Sequence, residues 1–120
     1  VLEHRGLGAA IASLTAASPV AVTLDIADER FPEPVEVAVY FSVAEALANV
    51  FKHTAATIVA VRIARVGDRV VAEVSDDGAG GAVVAPGGGL AGLEDRIAAL
   101  GGELSVLGGA GTVVRVELPL

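Results

Sequence analysis

Apolar residues recur along this chain with two different periods, which divide it into helices and strands. An apolar stripe runs through Val39, Val43, Leu47 and Val50 at helical spacing, which predicts one long amphipathic helix. Shorter runs alternate between apolar and polar residues and predict strands. In chain order, the predicted elements are a helix at 5–17, a strand at 20–26, a helix at 35–56, strands at 57–65 and 69–75, a helix at 90–100, and strands at 103–107 and 112–118.

The order of these elements predicts an α+β fold. Two pairs of strands are adjacent in sequence and joined by short turns at 67–68 and 108–111, so we expect two antiparallel hairpins. Two long helices need a sheet face to cover. We therefore predict a single domain over residues 1–120. It is a two-layer α/β sandwich, with a mixed, mostly antiparallel sheet covered on one face by helices.

Composition and charge narrow the classes of partner. A net charge of −7 opposes binding to nucleic-acid phosphates and to anionic membranes. The absence of cysteine excludes disulfides and thiolate metal sites. We see no apolar run approaching the ~20 residues of a spanning helix and no secretory signal pattern, so we expect a cytoplasmic domain without membrane contact. Because the chain starts at Val1, we expect it to be part of a longer protein.

The long helix carries the first candidate chemistry. Glu45, Asn49, Lys52 and His53 share one helical face through spacings of three and four residues. Carboxylate and carboxamide oxygens suit Mg²⁺ or its waters, and the only lysine of the chain suits a terminal phosphate. The same pattern is also typical of a solvated helix face, so both interpretations stay open at this point.

A second candidate lies where the strand at 69–75 runs into Asp76-Asp77-Gly78-Ala79-Gly80. A carboxylate there can accept a hydrogen bond from an exocyclic amine such as that of adenine. Glycines allow the main chain to approach a ligand closely. Aspartate and glycine are also the common residues of turns, so this motif alone is weak.

Two further glycine-rich stretches follow. Residues 87–93 contain a G-x-G-x-x-G pattern at the start of a helix. A dinucleotide-binding unit would need a preceding strand and an acid about 20 residues later, but a loop precedes this pattern and residues 108–112 contain no acid. The free N–H groups of a helix start can still meet phosphates. The stretch 109–112 is either a hairpin turn or a turn that places the Thr112 hydroxyl near the same loop.

Together and in this order, the four motifs resemble those of the GHKL ATPases. Within that family they look like the ATP-binding catalytic domain of two-component sensor histidine kinases of the NarL/DesK type. The resemblance covers nearly the whole chain. The matching elements are an N box at Glu45-x-x-x-Asn49-x-x-Lys52-His53, a G1 box at 76–80, a G2 box at 87–93 and a final glycine–threonine element at 109–112.

The resemblance implies the Bergerat fold, with Mg²⁺ and ATP bound between the long helix and a lid at about residues 79–89. It implies that Asp76 accepts the adenine amino group. It gives catalytic roles to Glu45 and Asn49 near the metal and to Lys52 at the phosphates. Further nucleotide contacts are implied for His53, Gly78, Gly80, Gly89, Leu90, Gly92, Leu93 and Thr112.

The implied activity is transfer of the γ-phosphate to a histidine on a separate dimerisation domain of the same protein, with a response regulator downstream. Glu94 stands where a basic residue often follows the G2 box, although Arg96 remains. His4 is followed by Arg5 and does not resemble a phosphoacceptor motif, so we expect no autophosphorylation by this chain alone. The alternatives are a GHKL hydrolase in which Glu45 activates water, an anti-sigma-factor type of serine kinase, and a non-catalytic interaction module.

Overall fold

The structure is a computed structural model that describes residues 2–53, 56–78, 89–108 and 111–120. Three helices and five strands make up this part of the chain. In order they are α1 (Leu2–Thr15), β1 (Ala21–Ile26), α2 (Glu33–His53), β2 (Ile58–Val66), β3 (Arg69–Asp76), α3 (Gly89–Ala99), β4 (Glu103–Gly108) and β5 (Thr112–Pro119).

The five strands form one sheet in the order β1-β2-β3-β5-β4. β1 and β2 pair in parallel, because α2 carries the chain back across the sheet between them. The other three pairs are antiparallel, and two of them are the expected hairpins. The predicted α+β fold with a mixed, mostly antiparallel sheet is therefore confirmed.

Helix boundaries are where the sequence prediction was least accurate. α2 begins at Glu33, before the predicted 35, because Pro34 fits the first turn and the Pro32 carbonyl accepts the N–H groups of Val35 and Glu36 at 3.0 Å each. It ends at His53 rather than at 56. At Thr57 the backbone is already hydrogen-bonded to β1, because the Thr57 carbonyl accepts the N–H of Ala21 at 3.3 Å.

The helical layer covers one face of the sheet. α2 packs between α1 and α3 and rests on β3 and β5. The predicted apolar stripe of α2 is buried, with Val39, Val43 and Leu47 at most 1% exposed. On β3 and β5 the alternate side chains that face α2 are also buried, and they complete a contiguous core: Val70, Ala72, Val74, Val114, Val116 and Leu118.

The other face of the sheet is open and charged. Asp25, Arg62, Glu73 and Arg115 are neighbours across four successive strands, with alternating signs of charge. Opposite charges across adjacent strands each contribute on the order of 0.2–1 kcal/mol. The charged row therefore keeps this face solvated, and neighbouring charges along the row attract one another.

By length and composition alone, residues Glu33–Lys52 of α2 are apolar enough to cross a membrane, which differs from the expectation above. Half of that stretch is buried inside the domain. The apolar character of α2 is accounted for by its place in the core between the sheet and the two other helices.

A buried carboxylate fastens the loop before α2 to the first turn of that helix. The Glu36 side chain is only 3% exposed and accepts Arg30 Nε on Oε2 and Arg30 Nη2 on Oε1, each at 3.0 Å. The Phe31 N–H also donates to Oε2 at 3.2 Å. The Arg30 hydrogen bonds, with help from Phe31, hold the pKa of Glu36 below its usual range. Arg30 also lies over Gly6, where α1 is kinked by a φ of 78°.

Replacing Arg30 by alanine should lower the free energy of unfolding by about 1–2 kcal/mol, because the Glu36 carboxylate would stay buried with its main partner removed. Since the folded pKa of Glu36 is lowered, its stabilisation is present above the unfolded pKa of about 4.3 and is lost as pH falls through the folded value. Urea unfolding of both proteins from pH 7 downward measures both effects.

The matched control is Arg62→Ala. Arg62 pairs with Asp25 at 3.9 Å, and both side chains are mostly exposed, at 65% and 86%. This change should alter stability by less than about 0.5 kcal/mol. Equal losses in the two variants would contradict a special role for the buried carboxylate.

Candidate functional site

Strand register brings two of the predicted site residues together at one end of the sheet. β3 ends at Asp76, which lies opposite Thr112 at the start of β5 and opposite Val59 near the start of β2. Asp76 continues the alternation of Val70 and Val74 on β3 and therefore faces the helical layer, as the buried Thr112 does. The carboxylate and the hydroxyl are neighbours under α2 and α3.

α2 and α3 point in opposite directions, which brings their site-forming ends to the same place. The Arg96 guanidinium, in the last turn of α3, lies 5.1 Å from the ring centroid of Phe41 in the first half of α2. Arg96 and Leu100 also line a groove of about 520 Å³ beside Glu33 in the first turn of α2. The first turn of α3 is therefore directed towards the carboxyl end of α2, where Asn49 and Lys52 lie. Arg96 itself lies far from that end.

The predicted polar residues of α2 lie along the carboxyl half of the helix. Glu45 and Asn49 are half-buried and Lys52 is exposed, one turn after another along the carboxyl half of the helix. The side-chain oxygens of Glu45 and Asn49 suit Mg²⁺. Among the described residues, no three His, Cys, Asp or Glu side chains cluster as a metal site. A cation held by Glu45 and Asn49 would need phosphate or water oxygens to complete its shell.

Among the described residues, one carboxylate oxygen of Asp76 has a hydrogen-bond donor and the other has none. Its Oδ1 accepts the N–H of Gly78 at 2.8 Å, which closes a tight turn directly after β3. Gly78 is buried beneath this turn. The hydrogen bond holds the carboxylate in one orientation, and Oδ2 is the oxygen that can accept a bond from a ligand.

Thr112 is the clearest sign of a missing partner. Its side chain is 4% exposed, and its Oγ1 is buried without a hydrogen-bond partner among the described residues. An unsatisfied buried hydroxyl costs about 1–3 kcal/mol. The neighbouring Gly111 allows the close pairing, because a Cβ there would overlap the Asp76 carbonyl oxygen. A polar ligand or water beside Asp76 would satisfy this hydroxyl.

Asp77, to which the sequence motif assigns no separate role, makes three hydrogen bonds to the start of β2. Its carboxylate accepts the Thr57 N–H at 2.8 Å, the Ile58 N–H at 3.0 Å and the Thr57 hydroxyl at 2.5 Å. These hydrogen bonds lower the pKa of Asp77 to about 2, and the bond from the Thr57 hydroxyl has the largest effect. The partners lie about twenty residues away in sequence, so no local pattern indicated them.

The remaining predicted positions lie in or next to α3. Gly89 begins the helix and Leu90 is in its first turn. Gly92 is exposed with no atom within 4 Å of the place of a Cβ, which leaves room for a ligand beside its backbone. Leu93 is 7% exposed and packs in the core, so it anchors α3. Gly80, residues 79–88 of the predicted lid and the His53 side chain lie outside the described residues.

Replacing Thr112 by valine should raise the free energy of unfolding by about 1–2 kcal/mol, because a buried unsatisfied hydroxyl gives way to a methyl group of similar size. Chemical unfolding in the absence of ligand measures this. Thr57→Val is the control, and it should lower the free energy of unfolding, because the Thr57 hydroxyl is hydrogen-bonded to Asp77. A loss of stability in Thr112→Val would mean that a protein group already satisfies the hydroxyl.

Comparison with known proteins places the chain beside one group of relatives. It is 38% identical to the sensor histidine kinase NarS of Mycobacterium tuberculosis over 132 aligned positions, which cover 100% of this chain and 31% of NarS. It is 30% identical to the sensor histidine kinase LiaS of Bacillus subtilis over 128 positions, which cover 99% of this chain and 36% of LiaS. No protein-family model matches the chain.

A solved structure agrees with these relatives. The Erythrobacter litoralis EL346 blue-light activated histidine kinase superposes with a TM-score of 0.81 at 22% identity, over 96% of this chain and 41% of that chain. At this identity the likeness establishes the fold alone. The chain spans about a third of the length of the curated relatives it matches. The assignment to the NarL/DesK branch stays a prediction.

Proposed function

This chain is a homologue of the sensor histidine kinases with the fold of their ATP-binding domains, and we propose that it binds ATP with Mg²⁺ and presents the γ-phosphate to a histidine on a separate dimerisation domain of the same protein. A response regulator would then receive the phosphoryl group. We also propose that the domain works in the cytoplasm.

The observation that carries this proposal is the pair formed by Asp76 and Thr112. A carboxylate oxygen and an unsatisfied buried hydroxyl lie side by side on adjacent strands. This pair suits adenine, whose exocyclic amine donates a hydrogen bond and whose ring nitrogens accept one, directly or through water. The adenine ring would lie between the sheet and the carboxyl half of α2.

The phosphates would extend from that base site towards the gap between α2 and the first turn of α3. Lys52, exposed at the carboxyl end of α2, would meet a phosphate as a point charge. The N–H groups of residues 89–92 at the start of α3 would donate to phosphate oxygens. Glu45 and Asn49 would hold the metal or its waters. When bound, Mg²⁺ neutralises phosphate charge and ATP supplies the phosphoryl group.

Catalysis in this proposal is mostly positioning. Phosphoryl transfer needs the attacking and leaving atoms in line and the phosphate charge neutralised, and it needs little further chemistry from the protein. Asp76 and Thr112 would orient the base, and Lys52 would orient the phosphates. The acceptor histidine would come from outside this chain, because His4 has no acceptor motif around it and His53 belongs to the predicted nucleotide site.

Replacing Asp76 by asparagine should weaken ADP binding by about tenfold or more, because the amide can turn a donor towards the adenine amine where an acceptor is needed. Calorimetric titration with ADP and Mg²⁺ measures this. Asp25→Asn is the matched control, since Asp25 is an 86% exposed carboxylate on the open face of the sheet. Unchanged affinity in Asp76→Asn would mean that the adenine assignment is wrong.

A second experiment separates the kinase from its rivals. With γ-labelled ATP, the chain mixed with the dimerisation domain of its parent protein should label that domain, and the label should be acid-labile, as a phosphohistidine is. Lys52→Ala should reduce the labelling rate by about tenfold or more. Steady phosphate release by the chain alone would favour a hydrolase with Glu45 as base. An acid-stable phosphoester would favour a serine kinase.

A further inference from the structure

We propose that Asp77 is a positioning residue for base recognition: its carboxylate ties the end of β3 to the start of β2 and thereby holds Asp76 in the orientation that reads the base. The inference rests on the proposed function, because it takes Asp76 as the residue that meets adenine. It assigns a role to Asp77, which lies outside the proposed adenine site.

The contacts of Asp77 continue the sheet beyond its last regular pair. Val59 pairs with Asp76, and one step further the Asp77 N–H donates to the Ile58 carbonyl at 3.4 Å. The hydrogen bonds donated by β2 are accepted by the Asp77 side chain instead of its backbone carbonyl. Its Oδ1 accepts the N–H groups of Ile58 and Thr57. The carboxylate thus satisfies two N–H groups at the start of β2.

Alternation along β3 keeps Asp77 away from the base. Asp76 faces the helical layer with the buried residues of β3, so the next side chain faces the other side of the sheet. The hydrogen bonds agree with this, because all three donors to the Asp77 carboxylate come from Thr57 and Ile58 at the start of β2. Asp77 therefore acts on a ligand only through Asp76.

Asp76 depends on this anchor for its geometry. On the β5 side it is held by pairing with Thr112 and by the close approach of Gly111. After Asp76 the chain turns, and Gly78 donates its N–H back to the Asp76 carboxylate. Asp77 is the middle residue of this turn. Its three hydrogen bonds fix the backbone between Asp76 and Gly78, and so the direction of the free oxygen of Asp76.

The anchor is charge-assisted at physiological pH. Hydrogen bonds from the Thr57 hydroxyl and from the Ile58 and Thr57 backbone lower the pKa of Asp77 to about 2, so the carboxylate is ionised wherever the protein would operate. Hydrogen bonds to an ionised acceptor are shorter and stronger than those between neutral groups. An alanine at this position loses all three, whereas an asparagine can keep the two from backbone N–H groups through its amide oxygen.

The test compares ADP with inosine diphosphate, each with Mg²⁺. The two ligands carry the same phosphates, but inosine has a carbonyl where adenine has its amine. The ratio of their dissociation constants therefore reports base reading alone. The proteins are the unchanged chain, Asp77→Ala, Asp77→Asn, Thr57→Val and Asp76→Asn, with Asp25→Asn as an exposed carboxylate control. Thermal unfolding of each variant shows that it is folded.

We expect Asp77→Ala to reduce the preference for ADP by about fivefold while changing the affinity for inosine diphosphate by less than about twofold. Asp77→Asn should restore most of the preference. Thr57→Val, which keeps the carboxylate and loses one hydrogen bond, should reduce the preference by a smaller factor. This variant tests the inference even if Asp77→Ala does not fold.

Three results would count against the proposals in distinguishable ways. If Asp76→Asn removes the preference and neither Asp77→Ala nor Thr57→Val changes it, the role of Asp77 is wrong and the adenine site stands. If Asp77→Ala weakens the binding of both ligands equally, Asp77 has only a structural role and the inference fails. If Asp76→Asn keeps the preference, the adenine assignment fails and the inference fails with it.

Discussion

The packing of α2 on β3 and β5 is the contact on which the rest of the molecule depends. The helix buries a stripe of small and medium apolar side chains, including Val39, Val43 and Leu47, against the valines of the two strands. At about 25 cal/mol per Å² of apolar surface removed from water, such burial is the main favourable contribution to folding. Few aromatic residues are present, so the layers fit through valine, alanine and leucine side chains.

The same packing builds the candidate site. α2 presents its apolar stripe to the sheet along its length and leaves Glu45, Asn49 and Lys52 on a separate face at its carboxyl half. The register of β3 against β5 sets Asp76 opposite Thr112 on the helix-facing side. A slip of β5 by one residue would turn Thr112 to the open face and separate it from Asp76. The close approach at Gly111 and the anchor at Asp77 hold that register at the end of β3.

The homology and the site geometry point to the same use. Relatives over the whole chain are sensor histidine kinases, and the chain corresponds to about a third of each. The Asp76–Thr112 pair at the sheet end, the polar face of α2 and the start of α3 are the parts to which we assign base, metal and phosphate contacts in the proposed function.

Much of this could be predicted from the sequence, because the signals are local. Periodicity located the three helices and five strands of the described residues, and motif order indicated the family. The predicted site residues Asp76 and Thr112 prove to be neighbours, but their roles stay a prediction. The element ends were less predictable. α2 does not reach Thr57, which is engaged by β1 and by Asp77, and both contacts come from elsewhere in the chain.

The sequence by itself therefore determined the order of elements, the buried stripe and the residue types of the site, since each follows from neighbouring side chains. Only the tertiary structure decided the parallel pairing of β1 with β2, the Arg30–Glu36 contact over the kink in α1, the unsatisfied Thr112 hydroxyl and the anchoring by Asp77. Hydrogen bonds between distant segments depend on where folding brings the backbone, and a carboxylate in a turn motif has no local signal that distinguishes a ligand contact from a strand anchor.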